Sequence, residues 1–110
     1  MVKSDVRQLD RIFHALSDPT RRSILEGLTR NERTVTQIAA RYPMSLAAVS
    51  KHLKVLEHAK LIGRRKAGSF RFLKLRAESL LSAAEWIAHY EQFWGARLDV
   101  LKSFLERGTR

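Results

Sequence analysis

Residues 45–62 read SLAAVSKHLKVLEHAKLI, and their spacing decides the fold. Ser45 is a fitting N-cap for a helix over about 46–59, because its hydroxyl can accept from an otherwise unpaired amide of the first turn. Val49, Leu53 and Leu56 follow at i, i+4 and i+7 and make one buried stripe. Ala47, Ala48, Ser50, Lys51 and Lys54 fall largely elsewhere on the circumference. One stripe is core and the other is free.

Working upstream, Pro43 ends a short helix that carries Ile38 and Ala39 and that Thr36 is placed to cap. The polar stretch Thr29 to Arg33 reads as a loop. Asp18 before Pro19 is a helix start, with Ile24, Leu25 and Leu28 as the buried stripe of a helix over about 19–29. Asp5 and Gln8 have capping-box spacing, and Leu9, Ile12, Phe13 and Leu16 extend a first helix over about 5–16. Downstream, segments 61–66 and 70–75 flank Ala67, Gly68 and Ser69, which predicts a hairpin turned at glycine. Their imperfect alternation leaves the facing of the strands open. From about 78, Leu80, Ala84, Ile87, Tyr90, Trp94, Leu98, Leu101 and Leu105 recur every three or four residues, a helix to about 106 that Gly95 weakens and Ser79 can cap.

The predicted order is α-α-α-α-β-β-α, mostly α with a small β-hairpin. In 110 residues with 45% hydrophobic content, a single domain over 1–110 with one core is expected. A continuous last helix of 28 residues would be about 42 Å long, against a radius of gyration near 13 Å for a domain of this size. Its own domain cannot cover it, and five of the nine aromatics lie on it. A homodimer through the first and last helices is therefore expected, with Leu9, Ile12, Phe13, Ile87, Tyr90, Trp94, Leu98 and Leu101 at the interface. The alternative is that the segment folds back as two helices into one core.

Composition narrows the function classes. The absence of cysteine removes disulfides, thiolate metal sites and cysteine nucleophiles. No apolar run approaches a membrane span, and the start MVKSDVRQLD lacks a signal-peptide apolar core, so a cytoplasmic, nucleoid-associated location and no membrane partner are expected. Ser50 and His52, two apart on a helix, do not face each other, and Gly27, Gly63 and Gly68 are isolated. Nothing supports an enzyme. The formal charge of +10 is uneven: residues 60–76 hold seven bases and no acid. Such a run is the footprint of a phosphate-bearing partner.

A short helix, a turn, a helix with a free stripe and a basic hairpin together make a winged helix-turn-helix, with the helix-turn-helix at about 36–59 and the wing at about 61–75. Double-stranded DNA is the expected partner. The second helix can enter a major groove about 12 Å wide while the hairpin reaches the flanking backbone or minor groove. The expected contacts are Ser45, Ala47, Ala48, Ser50, Lys51, His52 and Lys54 on the helix, and Arg64, Arg65, Lys66, Ser69 and Arg71 on the wing. His52 can instead be structural, as His14, His58 and His89 are expected to be. Arg21 and Arg22 can touch phosphate or pair with Asp18 or Glu26.

The stretches ALSDPTRRSILEGL (15–28), SLAAVSKHLKVLEHAKLI (45–62) and RRKAGSFRFLKL (64–75), in this order and separation, resemble the ArsR family of bacterial winged-helix repressors. The tail EWIAHYEQFWGARLDVLKSFLE (85–106) is similar to the metal-independent, SdpR-like autorepressor subgroup. The resemblance implies a homodimeric repressor on an inverted repeat in its own promoter region. It also implies where this chain departs. Thr34 and Thr36 stand where metal-sensing relatives have Cys-x-Cys, and hydroxyls are poor ligands for soft metals. Glu85 and His89 are one turn apart on the last helix, but such a pair is commonly solvated, so no metal and no cofactor are expected. Lys60 replaces the glycine usual after the recognition helix. The charge alone also fits a non-specific architectural or RNA-binding winged helix, or a vestigial module that binds protein through its aromatic tail. A small-molecule effector is left open.

Overall fold

The computed structural model describes the backbone of residues 3–108 and the side chains of residues 6–108. Its elements are α1 (Lys3–Leu16), α2 (Pro19–Leu28), β1 (Arg33–Thr34), α3 (Val35–Ala39), α4 (Leu46–His58), β2 (Ile62–Ala67), β3 (Phe70–Leu75) and α5 (Ala77–Gly108). The sheet has the order β1-β3-β2, antiparallel throughout. Ile12, Ile24, Leu28, Ile38, Val49, Leu53, Leu56, Leu61, Ile62, Leu73 and Ala83 meet in one core to which every element but β1 contributes. No described helix is long and apolar enough to cross a membrane.

Several local expectations need correction. Helix α1 already runs at Asp5, so the expected start there is displaced, and the Asp5 side chain lies outside the described residues. Gln8 works across the fold instead: its amide donates to the Ala59 carbonyl at 2.8 Å and ties α1 to the end of α4. Thr34, not Thr36, caps α3. Its hydroxyl accepts from the Gln37 amide at 3.2 Å, and the Gln37 side chain accepts from the Thr34 amide at 2.9 Å, a complete capping box. Arg33 and Thr34, expected as loop and helix approach, form a third strand opposite Leu73 and Phe72. Ser79 is no cap either, because α5 begins at Ala77 and the Ser79 side chain is buried two residues into it.

The turn between α1 and α2 is only Ser17 and Asp18, and three side chains satisfy its backbone. The Asp18 carboxylate accepts from the Arg21 amide at 3.0 Å and caps α2. The Arg21 guanidinium turns back to α1, whose last carbonyls have no intrahelical donor. It donates to Ala15 at 2.8 Å and to His14 at 3.0 Å, and Arg22 donates to Leu16 at 2.8 Å. Two adjacent arginines thus close the negative end of α1. Arg21 does so while 9% exposed, which settles it as a structural residue.

Helix α4 ends on Lys60 with φ 58°, the one positive φ at a non-glycine among the described residues. The Lys60 amide donates to Glu57 at 2.9 Å and the Leu61 amide to Leu56 at 3.0 Å, with both leucines fully buried. This is a Schellman closure with its apolar contact. The hairpin turn is two residues long, since Ala67 faces Phe70, and Gly68 takes φ 61°. A positive φ at the first central residue alone is the pattern of a type II′ turn.

Helix α5 is unbroken for 32 residues, about 48 Å at 1.5 Å per residue, so it does not fold back. Only Ser79 and Ala83 on it are buried. The chain spans 61 × 38 × 22 Å with a radius of gyration of 18.2 Å, well above the roughly 13 Å of a compact domain of its length.

Two stability outcomes follow. Replacing Arg21 with alanine strands the Ala15 carbonyl, takes one donor from the His14 carbonyl that Ser17 also serves, and removes the partner of the His52 ring, so urea denaturation should show a loss of about 2–3 kcal/mol. Arg21→Lys should restore little, since an ammonium lacks the fork that spans three acceptors. Lys60→Gly should gain about 0.5–1 kcal/mol by relieving the left-handed residue. A gain near zero there would mean the closure does not strain Lys60.

Candidate nucleic-acid interface

Helix α4 is held from one side and open on the other. Val49, Leu53 and Leu56 are 0% exposed, while Ala47, Lys51, Lys54 and His58 are exposed at i, i+4, i+7 and i+11 along the opposite face. Ser45 caps the helix by accepting from the Ala48 amide at 3.1 Å, and Ala48 and Ser50 flank the open stripe half-buried. Leu46, 60% exposed, also stands at the mouth of this first turn.

His52 does not belong to that stripe. It sits on the α1–α2 side of α4, where its Nδ1 lies 3.2 Å from Arg21 Nη1 and 3.9 Å from the Asp18 carboxylate. The hydrogen bond from the Arg21 amide, with the Arg21 guanidinium nearby, holds the Asp18 carboxyl below its ordinary value. Of the two readings open to His52, its partners favour the structural one: it links the α1–α2 corner to the recognition helix.

The wing divides its cations by strand face. Ile62, Arg64 and Lys66 of β2 pair with Leu75, Leu73 and Arg71 of β3, so one face is core at its base and cationic toward its tip. The other face carries Arg65, Phe70 and Phe72. Arg64 makes a two-oxygen contact with Glu57 of α4, both at 3.0 Å from Nε, with Nη2 at 2.8 Å. Arg65 reaches Glu32, in the turn before β1, at 2.6 Å, and lies 4.8 Å from the centre of the Phe72 ring. Each pairing favours the ionised partners, lowering the Glu32 carboxyl and raising both guanidinium groups. The cation run at 60–76 is therefore partly neutralised by acids distant in sequence. Lys66, Ser69 and Arg71 remain at the exposed tip beside Phe70, which is 61% exposed. Phe70 was not anticipated as a contact. Its spacing from Phe72 puts both on the face away from Leu73, a signal available in the alternation FRFL.

The residues expected at a subunit interface divide likewise. Ile12 is 0% exposed and Leu9 8% within one chain, so both pack mainly into their own core, and Leu9 also borders the groove between α1 and α5. Phe13 packs edge-on against Trp86 at 5.6 Å, Trp86 stacks on Tyr90 at 5.0 Å, and Tyr90 leans on Trp94 at 5.9 Å. This ladder runs out along α5, where Ile87, Tyr90, Leu98 and Leu101 are each about half exposed. Glu85 and His89 are exposed on the same helix, and among the described residues no three His, Cys, Asp or Glu side chains gather. The Thr34 hydroxyl is engaged in its capping box.

Comparison with known proteins agrees with this geometry. A family model described as a helix-turn-helix domain matches residues 16–65, which span α2 to the first half of the wing. The chain is 32% identical over 82 residues to the transcriptional repressor SdpR of Bacillus subtilis, covering 74% of this chain and 91% of that protein. It superposes on a crystal structure of an ArsR family transcriptional regulator with a TM-score of 0.75 and 35% identity, covering 81% of this chain and 92% of the other. The solution NMR structure of the homodimeric winged helix-turn-helix DNA-binding domain of Mb0332 from Mycobacterium bovis matches with a TM-score of 0.63 and 27% identity, over 82% and 85% of the two chains. With its fold, its open recognition helix and these relatives in agreement, the chain belongs to the ArsR family of winged helix-turn-helix transcriptional regulators.

Proposed function

We propose that the protein is a homodimeric, sequence-specific DNA-binding repressor whose α4 reads the major groove of an inverted-repeat operator. The observation that carries this reading is the exposed stripe of Ala47, Lys51 and Lys54 directly opposite a fully buried one. Small residues let the backbone approach base edges, and the lysines meet phosphate. Ser45, Ala48 and Ser50 complete the helix contribution. On the wing, Lys66, Ser69 and Arg71 contact the flanking backbone, while Arg64 and Arg65 set the angle of the hairpin through Glu57 and Glu32.

The second copy covers the aromatic ladder. Phe13, Ile87, Tyr90, Trp94, Leu98 and Leu101 form an apolar surface along α1 and α5 that a monomer leaves wet. A two-fold dimer places two recognition helices on half-sites one helical turn or a multiple apart, which is why the operator should be palindromic. A groove of about 470 Å³ between α1 and α5, lined by Val6, Leu9, Asp10, Phe13 and Trp86, is where an apolar effector would act on that interface. A protein so built works in the cytoplasm on the nucleoid.

Binding to DNA from upstream of its own gene, measured against a shuffled duplex of equal length over a salt series, should favour the former by about a thousandfold. Equal binding with a steep salt slope would mean either an architectural role or an operator elsewhere, which selection from random DNA separates. Lys51→Ala should weaken both duplexes alike and reduce the salt slope by about one. In sedimentation at micromolar concentration, Trp94→Ala should shift the population toward monomer, because buried aromatic anchors dominate interfaces. An unchanged profile would place the dimer contact elsewhere.

A further inference from the structure

Helix α4 has two flanks as well as its buried and open faces. Val55 and Glu57, two residues apart, point about 200° apart around the helix. Glu57 holds Arg64, so the wing occupies one flank. On the other flank Val55 lies in a groove of about 450 Å³ between α1 and α4, whose remaining walls are Arg11 and His14 from α1 and Lys51, Lys54 and His58 from α4.

Five of those six residues are basic and none is acidic. Glu57 is held by Arg64 and Asp18 by the cap of α2, while Asp10 borders the groove on the α5 side of α1. Packing α1 on α4 thus brings Arg11 of one helix toward Lys51 and Lys54 of the other, and no acid among the described residues lines the groove between them. Mutual repulsion opposes that arrangement unless an anion joins it. The lining is mostly apolar, Val55 and the stems of the basic side chains, and such stems commonly carry their charged heads toward solvent, which suits a partner that lies across the opening and does not enter deeply.

We infer that this α1–α4 groove is a second phosphate site, one that grips a DNA backbone phosphodiester on the flank of the recognition helix opposite the wing. The inference rests on the DNA-binding reading above and extends it to α1, which otherwise has only packing and interface roles. The dimensions fit. Helix α4 has 13 residues and is about 20 Å long, whereas the major groove is about 8.5 Å deep. With the first turn at the base edges, the turns bearing Lys54 and His58, and α1 beside them, stand above the rim where phosphates run. Arg11 supplies a forked guanidinium, Lys51 and Lys54 point charges, and His14 and His58 ring N–H donors. The recognition helix is then straddled, with the wing tip on one side and α1 on the other. Sequence spacing could not show this, because Arg11 and His14 lie 40 or more positions from Lys54 and His58.

The test compares full-length wild type, Arg11→Ala and the double variant Arg11→Gln with His14→Gln on an operator duplex and a shuffled duplex over a salt series. These side chains are exposed, and unchanged melting temperatures verify the fold; the glutamine variant keeps the stem if alanine disturbs packing. The expected result is a weakening of about five- to tenfold at low salt on both duplexes alike, with the salt slope reduced by about 0.9 for each phosphate no longer neutralised. Unchanged slope and affinity, with Lys51→Ala still lowering the slope, would overturn the α1 site and leave the recognition helix reading intact. An unchanged slope together with inorganic phosphate raising the melting temperature of wild type but not of Arg11→Ala would overturn the DNA source in favour of a free anion. Absence of salt-dependent binding by wild type would overturn the DNA reading itself, and this site with it.

Discussion

The fold turns on the guanidinium of Arg21. It is almost wholly buried, and burying a charge is costly unless every donor finds a partner. Here the partners are the carbonyls that α1 cannot satisfy by itself and the ring of His52 on α4. The same residue gives its amide to Asp18 at the start of α2. One residue, through its side chain and its amide, therefore fixes where α1 stops, how α2 begins and how α4 lies against both. Hydrophobic burial alone would not set that orientation, because Val49, Leu53 and Leu56 could slide or rotate by a fraction of a turn with little change in buried apolar area. The directional bonds of Arg21 restrict such sliding, and the open stripe of α4 inherits its direction from them.

The wing is oriented by a different kind of contact. Arg64–Glu57 and Arg65–Glu32 are exposed ion pairs, and each contributes little to stability because solvent screens it. What they do is geometric. Glu57 belongs to α4 and Glu32 to the turn before β1, so the two pairs brace the hairpin against both ends of the helix-turn-helix unit. Two of its cations are used in that bracing, and the chemistry available to a partner shifts outward to Lys66, Ser69 and Arg71 at the tip. A highly basic segment is thus divided between cations that position the hairpin and cations left free at its exposed tip.

Much of this was legible in the sequence because the governing interactions are local. Asp18 before Pro19 and Ser45 before Leu46 mark helix starts through side chains three residues from the amides they accept, and the 3.6-residue spacing of Val49, Leu53 and Leu56 identifies the core face. What was not legible depends on partners distant in sequence. Arg33 and Thr34 make a strand only because β3 offers an edge, and two residues carry no alternation. The choice of Thr34 over Thr36 as cap could have been read from Gln37, three positions on, which completes the capping box. Leu9 and Ile12 share helical spacing with Phe13, and spacing alone does not divide a helix that is buried on one side by its own chain and on another by aromatic rings. His52 was open to two readings in the sequence, and the partner that favours the structural one, Arg21, lies 31 residues away.

Helix α5 carries the same lesson into function. Its first two turns pack on the core through Ser79 and Ala83, and beyond them it projects with large apolar side chains about half exposed or more, Phe104 at 66% and Val100 at 68%. An isolated helix of this length gains little from propensity alone, and helical stability in proteins comes mainly from packing of an apolar face. The aromatic ladder from Phe13 through Trp86 to Trp94 supplies part of that packing from within the chain. The remainder must come from another surface. Because α1 contributes Phe13 to the ladder, its C-terminal carbonyls to Arg21, and Arg11 and His14 to the groove against α4, a shift of α1 against α5 also disturbs its contacts with α2 and α4.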